Sequence, residues 1–194
     1  TSHVLHSLDR KVCNTLNVVA MTNNTSVHNI QAVLNGISAS ASRRDTQAIV
    51  HVSRASQHRL GSCVIPENLD LRWVDNIDYA HEYEWENEPE LALYFGTDIH
   101  DCVTAFNAHS PQFVVSCLSQ DQTEHDLIWR ECNAPFVGNG FTRWVDGQYA
   151  LKRPELGLSN WHGGRLLGRG GVLSGDGVHT IRLRTTQADR DVHR

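Results

Sequence analysis

The chain has 194 residues, enough for a sizeable hydrophobic core, and its apolar fraction of 40% and charged fraction of 20% are ordinary for a globular domain. Its formal charge is −5 with histidine neutral, which argues against a nucleic-acid or anionic-membrane partner, since those select basic surfaces. No apolar run approaches the roughly 18 residues of a membrane span and no signal-peptide pattern opens the chain, so we expect a cytoplasmic protein.

The first half of the chain predicts three strands and one long helix. Residues 16–22, 47–53 and 69–75 are rich in apolar and β-branched residues and predict strands. Ser26 is a suitable N-cap for a helix over 27–41. The apolar residues of this helix recur at the spacing of a single helical face: Val27, Ile30, Val33, Leu34 and Ile37.

From residue 91 to residue 139 the sequence alternates between strand and helix patterns. The predicted elements are strands over 91–96, 112–119 and 134–139 and helices over 97–108, with Thr97 as N-cap, and 121–132. Such alternation is typical of an α/β fold with a mostly parallel sheet and crossover helices. Residues 178–184 predict a final strand. No linker divides the chain, so we expect one domain over 1–194.

Cysteine and histidine usage indicates neither disulfides nor a metal site. The cysteines lie at positions 13, 63, 102, 117 and 132, an odd number without CxxC spacing, which favours reduced thiols. Cys102 and Cys117 lie within apolar segments and are expected to be small buried hydrophobes. The twelve histidines are scattered, so we expect no metal.

Two strings resemble one family of enzymes. "VCNTLNVVAM", which contains Cys13, resembles the segment around the catalytic cysteine in the gamma-glutamyl phosphate reductase branch of the aldehyde dehydrogenase superfamily. The second string resembles the same branch near its C-terminal end through Asn139, Thr142, Arg143, Trp144, Asp146, Gly147, Glu155, Gly157, Leu158 and Ser159. The resemblance extends from about residue 8 to residue 184. Phe141 stands where the family has a small residue.

The resemblance implies the catalytic half of a longer enzyme. In this family a cofactor-binding domain precedes the catalytic cysteine, and this chain has no G-x-G-x-x-G after a strand. NADP or NAD is therefore expected to be bound mainly by a domain that is not present in this chain. The family also implies a homo-oligomer and a small acyl phosphate or aldehyde as the substrate.

The resemblance gives Cys13 the role of nucleophile. A thiolate attacks an activated acyl group, and the nearby Arg10 and Lys11 would favour the thiolate form. The oxyanion would be held by the backbone N–H of Cys13 and an amide side chain. The alternative is that Cys13 is a buried structural cysteine.

The other site residues follow from the same resemblance. Asn139, Thr142 and Arg143 would bind the substrate anion together with Ser159, although Arg143 also has possible surface partners in Asp146 and Glu155. In the superfamily a glutamate before a strand holds the nicotinamide ribose. We assign this role to Glu84, while Glu82 and Glu86 match it as well, and the alternative is a solvated acidic loop.

The sequence leaves two other functions open. The first is a non-catalytic, dehydrogenase-like assembly module, because the superfamily uses this half of the chain for oligomer contacts as well as for chemistry. The second is a cysteine hydrolase, which would need a histidine base beside Cys13 that the sequence does not identify.

Overall fold

A computed structural model describes residues 1–142, 161–162, 165–166 and 182–188. The helices are α1 Ser2–Ser7, α2 Val27–Ser42, α3 Gln57–Leu60, α4 Ile99–His109 and α5 Gln122–Glu131, with a short 3-10 helix at Arg54–Ser56. The strands are β1 Val18–Thr22, β2 Ala48–Ser53, β3 Leu69–Val74, β4 Glu90–Gly96, β5 Val114–Ser116, β6 Phe136–Gly138, β7 Trp161–His162, β8 Arg165–Leu166 and β9 Leu183–Thr185. None of the described helices is both long and apolar enough to cross a membrane.

The strands form two parallel sheets. The first has the order β1-β4-β2-β3 and the second has the order β5-β6-β9, and every pair within them is parallel. Strands β7 and β8 form a small antiparallel pair. The prediction of an α/β fold with mostly parallel strands and crossover helices is therefore confirmed. The alternation over 91–139 is also confirmed, with β4 in the first sheet and β5 and β6 in the second.

The larger hydrophobic core surrounds the first sheet. Strand β2 buries every second residue, namely Ala48, Val50 and Val52. The central strand β4 buries Leu91, Ala92 and Leu93 in succession, as a strand covered on both faces does. The apolar stripe of α2 joins this core through Ile30, Leu34 and Ile37. Each fully buried side chain of this size contributes roughly 1.5–3 kcal/mol.

A smaller hydrophobic core lies beside the second sheet, and Arg182 connects the strand and the helix next to it. The core contains Val103, Ile128, Cys132, Ala134 and Val137. Arg182, just before β9, donates to the carbonyl oxygens of Cys132 at 2.7 Å and Ala134 at 3.0 Å. Its guanidinium also lies 4.1 Å from the centre of the Trp129 ring. This side chain therefore ties β9 to the C-terminal end of α5.

Several predicted boundaries are wrong. Helix α4 begins at Ile99 with Asp98 as its N-cap, because the Asp98 carboxylate accepts from the Asp101 N–H at 2.9 Å. Thr97, the predicted N-cap, instead donates its N–H to the Asp101 carboxylate. Strands β5 and β6 are only three residues long. The predicted last strand over 178–184 is described only from residue 182, and there it forms the start of β9.

Gly36 allows α1 to lie against α2. A Cβ atom at this position would lie 2.7 Å from the Thr1 carbonyl oxygen and 2.9 Å from the Val4 Cβ. Both distances are shorter than real Cβ contacts, and the nearer atom belongs to the backbone and cannot rotate away. The absence of a side chain at position 36 therefore fixes how closely the two helices approach.

Replacing Gly36 with alanine should destabilise the protein. Alanine raises helix propensity by about 1 kcal/mol, while forced overpacking costs about 1–3 kcal/mol, so we expect a net loss from the free energy of unfolding in urea. The matched control is Asn35→Ala, on the exposed side of the same turn. A Gly36→Ala protein as stable as the Asn35→Ala protein would contradict this account of α1.

Candidate active site

Cys13 lies in an exposed turn between α1 and β1, which we call the Cys13 turn (residues 8–17). The Thr15 N–H donates to the Val12 carbonyl at 2.9 Å. The Thr15 hydroxyl accepts from the Val12 N–H at 2.8 Å and donates to the Arg10 carbonyl at 2.6 Å. Within the described part of the chain, the Cys13 N–H has no hydrogen-bond acceptor. Because Cys13 is exposed, the alternative that it is a buried structural cysteine is wrong.

Arg44 holds the start of the Cys13 turn. Its guanidinium donates to the Leu8 carbonyl at 2.8 Å, to the Asp9 carbonyl, and to the Ser40 carbonyl at 2.8 Å. The same group lies over the Trp85 ring, 5.3 Å from its centre. Burial lowers the pKa of Arg44, while the nearby Asp9 charge opposes this shift. No pattern in the sequence predicts that Arg44 holds this turn.

The acidic segment (residues 81–90) is anchored to the Cys13 turn. The side chain of Asn17 donates to the His81 carbonyl at 2.7 Å and accepts from the Tyr83 N–H at 3.0 Å. Tyr83 and Trp85 are buried, while the glutamates between and beside them are exposed. The alternative of a solvated acidic loop therefore holds for the glutamates but not for the two aromatic residues, which anchor the segment to the protein.

Lys11 brings Glu84 to the Cys13 turn. The Lys11 ammonium lies 2.9 Å from a carboxylate oxygen of Glu82 and 3.7 Å from one of Glu84. The Lys11 side chain is only 11% exposed, whereas the Glu84 side chain is 74% exposed. Both carboxylates thus lie beside Lys11 of the Cys13 turn, and that of Glu84 is open to solvent.

The segment after β6, which we call the substrate segment (residues 139–142), is held by Gln187. The Asn139 carbonyl oxygen Oδ1 accepts from the Gln187 N–H at 2.7 Å. The Phe141 N–H donates to Gln187 Oε1 at 3.1 Å. Two further candidates, Arg143 and Ser159, lie outside the described residues.

Helix α1 joins the substrate segment to the Cys13 turn. The Thr142 N–H donates to the Ser7 hydroxyl at 3.0 Å, and the Leu16 N–H donates to the Ser7 carbonyl at 3.0 Å. Phe141 is fully buried, and its ring centre lies 5.6 Å from that of His3 and 5.0 Å from that of His6. The large residue at position 141 therefore fills the contact between the segment and α1. Thr142 is thereby linked through Ser7 to the Cys13 turn, while the roles predicted for Asn139 and Thr142 stay predictions.

The other thiols are less accessible. Burial raises the pKa of Cys132 to about 12 and the pKa of Cys102 to about 11. Burial also raises the pKa of Cys117 and of Cys63. The prediction that Cys102 and Cys117 are buried is wrong, because both are only half-buried, and Cys117 lines a cleft at the end of the second sheet. Among the described residues, no group of three histidine, cysteine or acidic side chains is placed to hold a metal ion.

The architecture is a mixed α/β domain with parallel sheets. A solved structure with a similar fold is gamma-glutamyl phosphate reductase from Thermotoga maritima, with a TM-score of 0.59 and 13% sequence identity. The match covers 82% of this chain and 36% of that enzyme, so the chain spans about a third of the enzyme's length. No family model matches the sequence, and no curated protein matches it.

Alkylation of the native protein with iodoacetamide at pH 8 should modify Cys13 first. A pKa of about 12 leaves about one in ten thousand Cys132 thiols ionised at that pH, and the thiolate is the reacting form. Mass spectrometry of digests taken over time gives the rate at each cysteine. In denaturant all five should react alike. Reaction of native Cys132 as fast as Cys13 would contradict the placement of both residues.

Replacing Ser7 with alanine should loosen the substrate segment. The substitution removes the acceptor of the Thr142 N–H and should cost about 1.5 kcal/mol, as a half-buried donor is left unpaired. NMR-detected hydrogen exchange should show the Thr142 amide exchanging at least about tenfold faster. The matched control is Ser38→Ala, since the Ser38 hydroxyl, on α2, donates to the Asn68 side chain at 2.7 Å. Equal exchange at Thr142 in both variants would contradict the link.

Proposed function

We propose that this chain is the catalytic half of a nicotinamide-dependent aldehyde dehydrogenase or acyl-phosphate reductase, in which Cys13 carries the acyl group. The observation that most supports the proposal is the placement of Cys13. It is exposed on a hydrogen-bonded turn that Ser7 links to the substrate segment. This arrangement occurs within an aldehyde dehydrogenase-like fold and agrees with the two strings that resemble that superfamily.

The reaction begins with the Cys13 thiolate, which attacks the carbonyl carbon of an acyl phosphate. A carbon–sulfur bond forms, and the carbonyl oxygen becomes an oxyanion. The Cys13 N–H, which has no acceptor among the described residues, is available to donate to this oxygen. The oxyanion then collapses, phosphate leaves with the electrons of the broken carbon–oxygen bond, and a thioester remains on Cys13.

The nicotinamide supplies a hydride to the thioester carbon when it is bound. The resulting thiohemiacetal then releases an aldehyde and the Cys13 thiolate. The reverse sequence oxidises an aldehyde. NADP or NAD would be held mainly by a preceding domain, with Glu84 at the ribose. An exposed carboxylate beside the Cys13 turn fits that role, because it can accept hydrogen bonds from hydroxyl groups.

The substrate would be a small acyl phosphate or aldehyde. Asn139 and Thr142 would bind it with Arg143, whose planar guanidinium suits an anionic group, and Ser159 would complete the site. The described part of the site supports this assignment in that Asn139 and Thr142 lie on the segment bonded to Ser7. Homo-oligomer formation and a cytoplasmic location belong to the same proposal.

The alternative function is a non-catalytic assembly module with a dehydrogenase-like fold. One observation favours it, namely that the large Phe141, which stands where the family has a small residue, fills the contact between the substrate segment and α1. In such a module the Cys13 turn would be retained for its shape, and the thiol would have no reaction to perform.

Acylation of Cys13 separates the two functions. The protein is incubated with acetyl phosphate, and the intact mass and peptide masses are measured. We expect one acetyl group, carried by Cys13, that is absent from the Cys13→Ala variant and present in the control variant Cys63→Ala. We also expect no nicotinamide reduction by this chain alone with an aldehyde. A folded protein that forms no acetyl adduct would favour the assembly module.

A further inference from the structure

An open cleft lies at the carboxyl ends of the three parallel strands of the second sheet. Its volume is about 330 Å³. In parallel α/β sheets ligands bind outside the carboxyl ends of the strands. The residues of the cleft that matter for recognition are Cys117, Gln122, His125, Val137, Asn139 and Arg184.

The hydrogen-bonding character of Asn139 and His125 is fixed by backbone partners. Asn139 Oδ1 accepts from the Gln187 N–H at 2.7 Å, which leaves Nδ2 with two donor hydrogens. His125 Nε2 lies 2.8 Å from the Ser119 carbonyl oxygen. Since a carbonyl can only accept, Nε2 carries the hydrogen, and Nδ1 of the neutral ring is an acceptor. The cleft therefore offers a donor from β6 and an acceptor from α5.

Gln122 adds a second acceptor. Its Nε2 donates to the Asp126 carboxylate at 3.0 Å, which fixes the amide orientation and leaves Oε1 to accept. Cys117 and Val137 supply apolar surface to the same cleft. A matching ligand carries one acceptor and one donor on a small polar head and an apolar body.

The charges around the cleft disfavour an anion. Arg184 is paired with Asp126 at 2.7 Å, and its hydrogen bond is the main cause of the lowered pKa of that carboxyl, followed by the hydrogen bond from Gln122. Asp121 and Glu124 add two further carboxylates at the start of α5. Arg184 is the permanently charged side chain among the described residues that line the cleft, and its pairing with Asp126 leaves no free cation there for a carboxylate ligand.

We propose that this cleft binds the carboxamide group of a small neutral ligand. The amide oxygen accepts from Asn139 Nδ2, and the amide nitrogen donates to His125 Nδ1 or Gln122 Oε1. The ligand body lies against Val137 and Cys117. The inference goes beyond the proposed reaction and shares only Asn139 with the proposed substrate site, and binding at this cleft requires no thioester at Cys13.

Benzamide and benzoate test the inference, because they have the same shape and differ in the amide and the carboxylate. Each is titrated into the ¹⁵N-labelled chain, and amide shifts are followed by NMR. We expect benzamide to bind with a Kd about tenfold lower than that of benzoate, since it supplies a donor and carries no charge. The largest shifts should fall at residues 117, 122, 125 and 139. Equal or tighter binding of benzoate, or shifts centred elsewhere, would overturn the proposal.

The variant Asn139→Asp isolates the donor. Its carboxylate can still accept from the Gln187 N–H, but two amide hydrogens are replaced by a charged oxygen. We expect the Kd for benzamide to rise about tenfold. The control Asn29→Asp makes the same charge change at an exposed position of α2 and should leave the Kd unchanged. Unchanged binding in Asn139→Asp would also refute the proposal, and the benzamide–benzoate comparison remains decisive if that variant fails to fold.

Discussion

The structure depends on the close approach of α1 to α2, which is possible only because position 36 has no side chain. The Thr1 carbonyl and Val4 occupy the space that a Cβ atom would take. Once α1 is seated there, its last residue, Ser7, bonds both the end of the Cys13 turn and Thr142. One helix contact thus positions the nucleophile candidate relative to the second sheet.

Charged and polar side chains then arrange the surroundings of Cys13. Arg44 binds backbone carbonyls at the start of the turn and covers Trp85 of the acidic segment. Lys11 and Asn17 hold the same segment from the turn itself. The Lys11 side chain is only 11% exposed and Arg44 is half-buried, so water screens their contacts less than it screens a fully exposed ion pair, which contributes about 0–1 kcal/mol. The turn and the acidic segment therefore form one structural unit.

Local patterns predicted the elements well, and long-range contacts were not predictable. The Ser26 cap of α2 appears as expected, with its hydroxyl accepting from the Asn29 N–H. Ile30, Leu34 and Ile37 of the predicted stripe are buried, but Val27 in the first turn is exposed, so its place in the stripe was wrong. The adjacent Thr97 and Asp98 are both good caps, so sequence could not choose between them.

The bond from Thr142 to Ser7 spans 135 residues and leaves no periodic signal. Glycine ordinarily weakens a helix interior, yet in α2 Gly36 is the contact site for α1. Glutamates alternate with Tyr83 and Trp85 in the sequence, and this alternation could have predicted an extended segment with one buried face.

The most direct test of this account is the contact between α1 and the substrate segment. A NOESY spectrum of the labelled chain would measure it, through the Thr142 amide and the Phe141 ring. The account predicts cross-peaks from the Thr142 amide to the Ser7 side chain and from the Phe141 ring to the rings of His3 and His6. Absence of these cross-peaks, with those between β1 and β4 present, would show that the two sheets are not joined through α1, and the proposed active site would not be assembled.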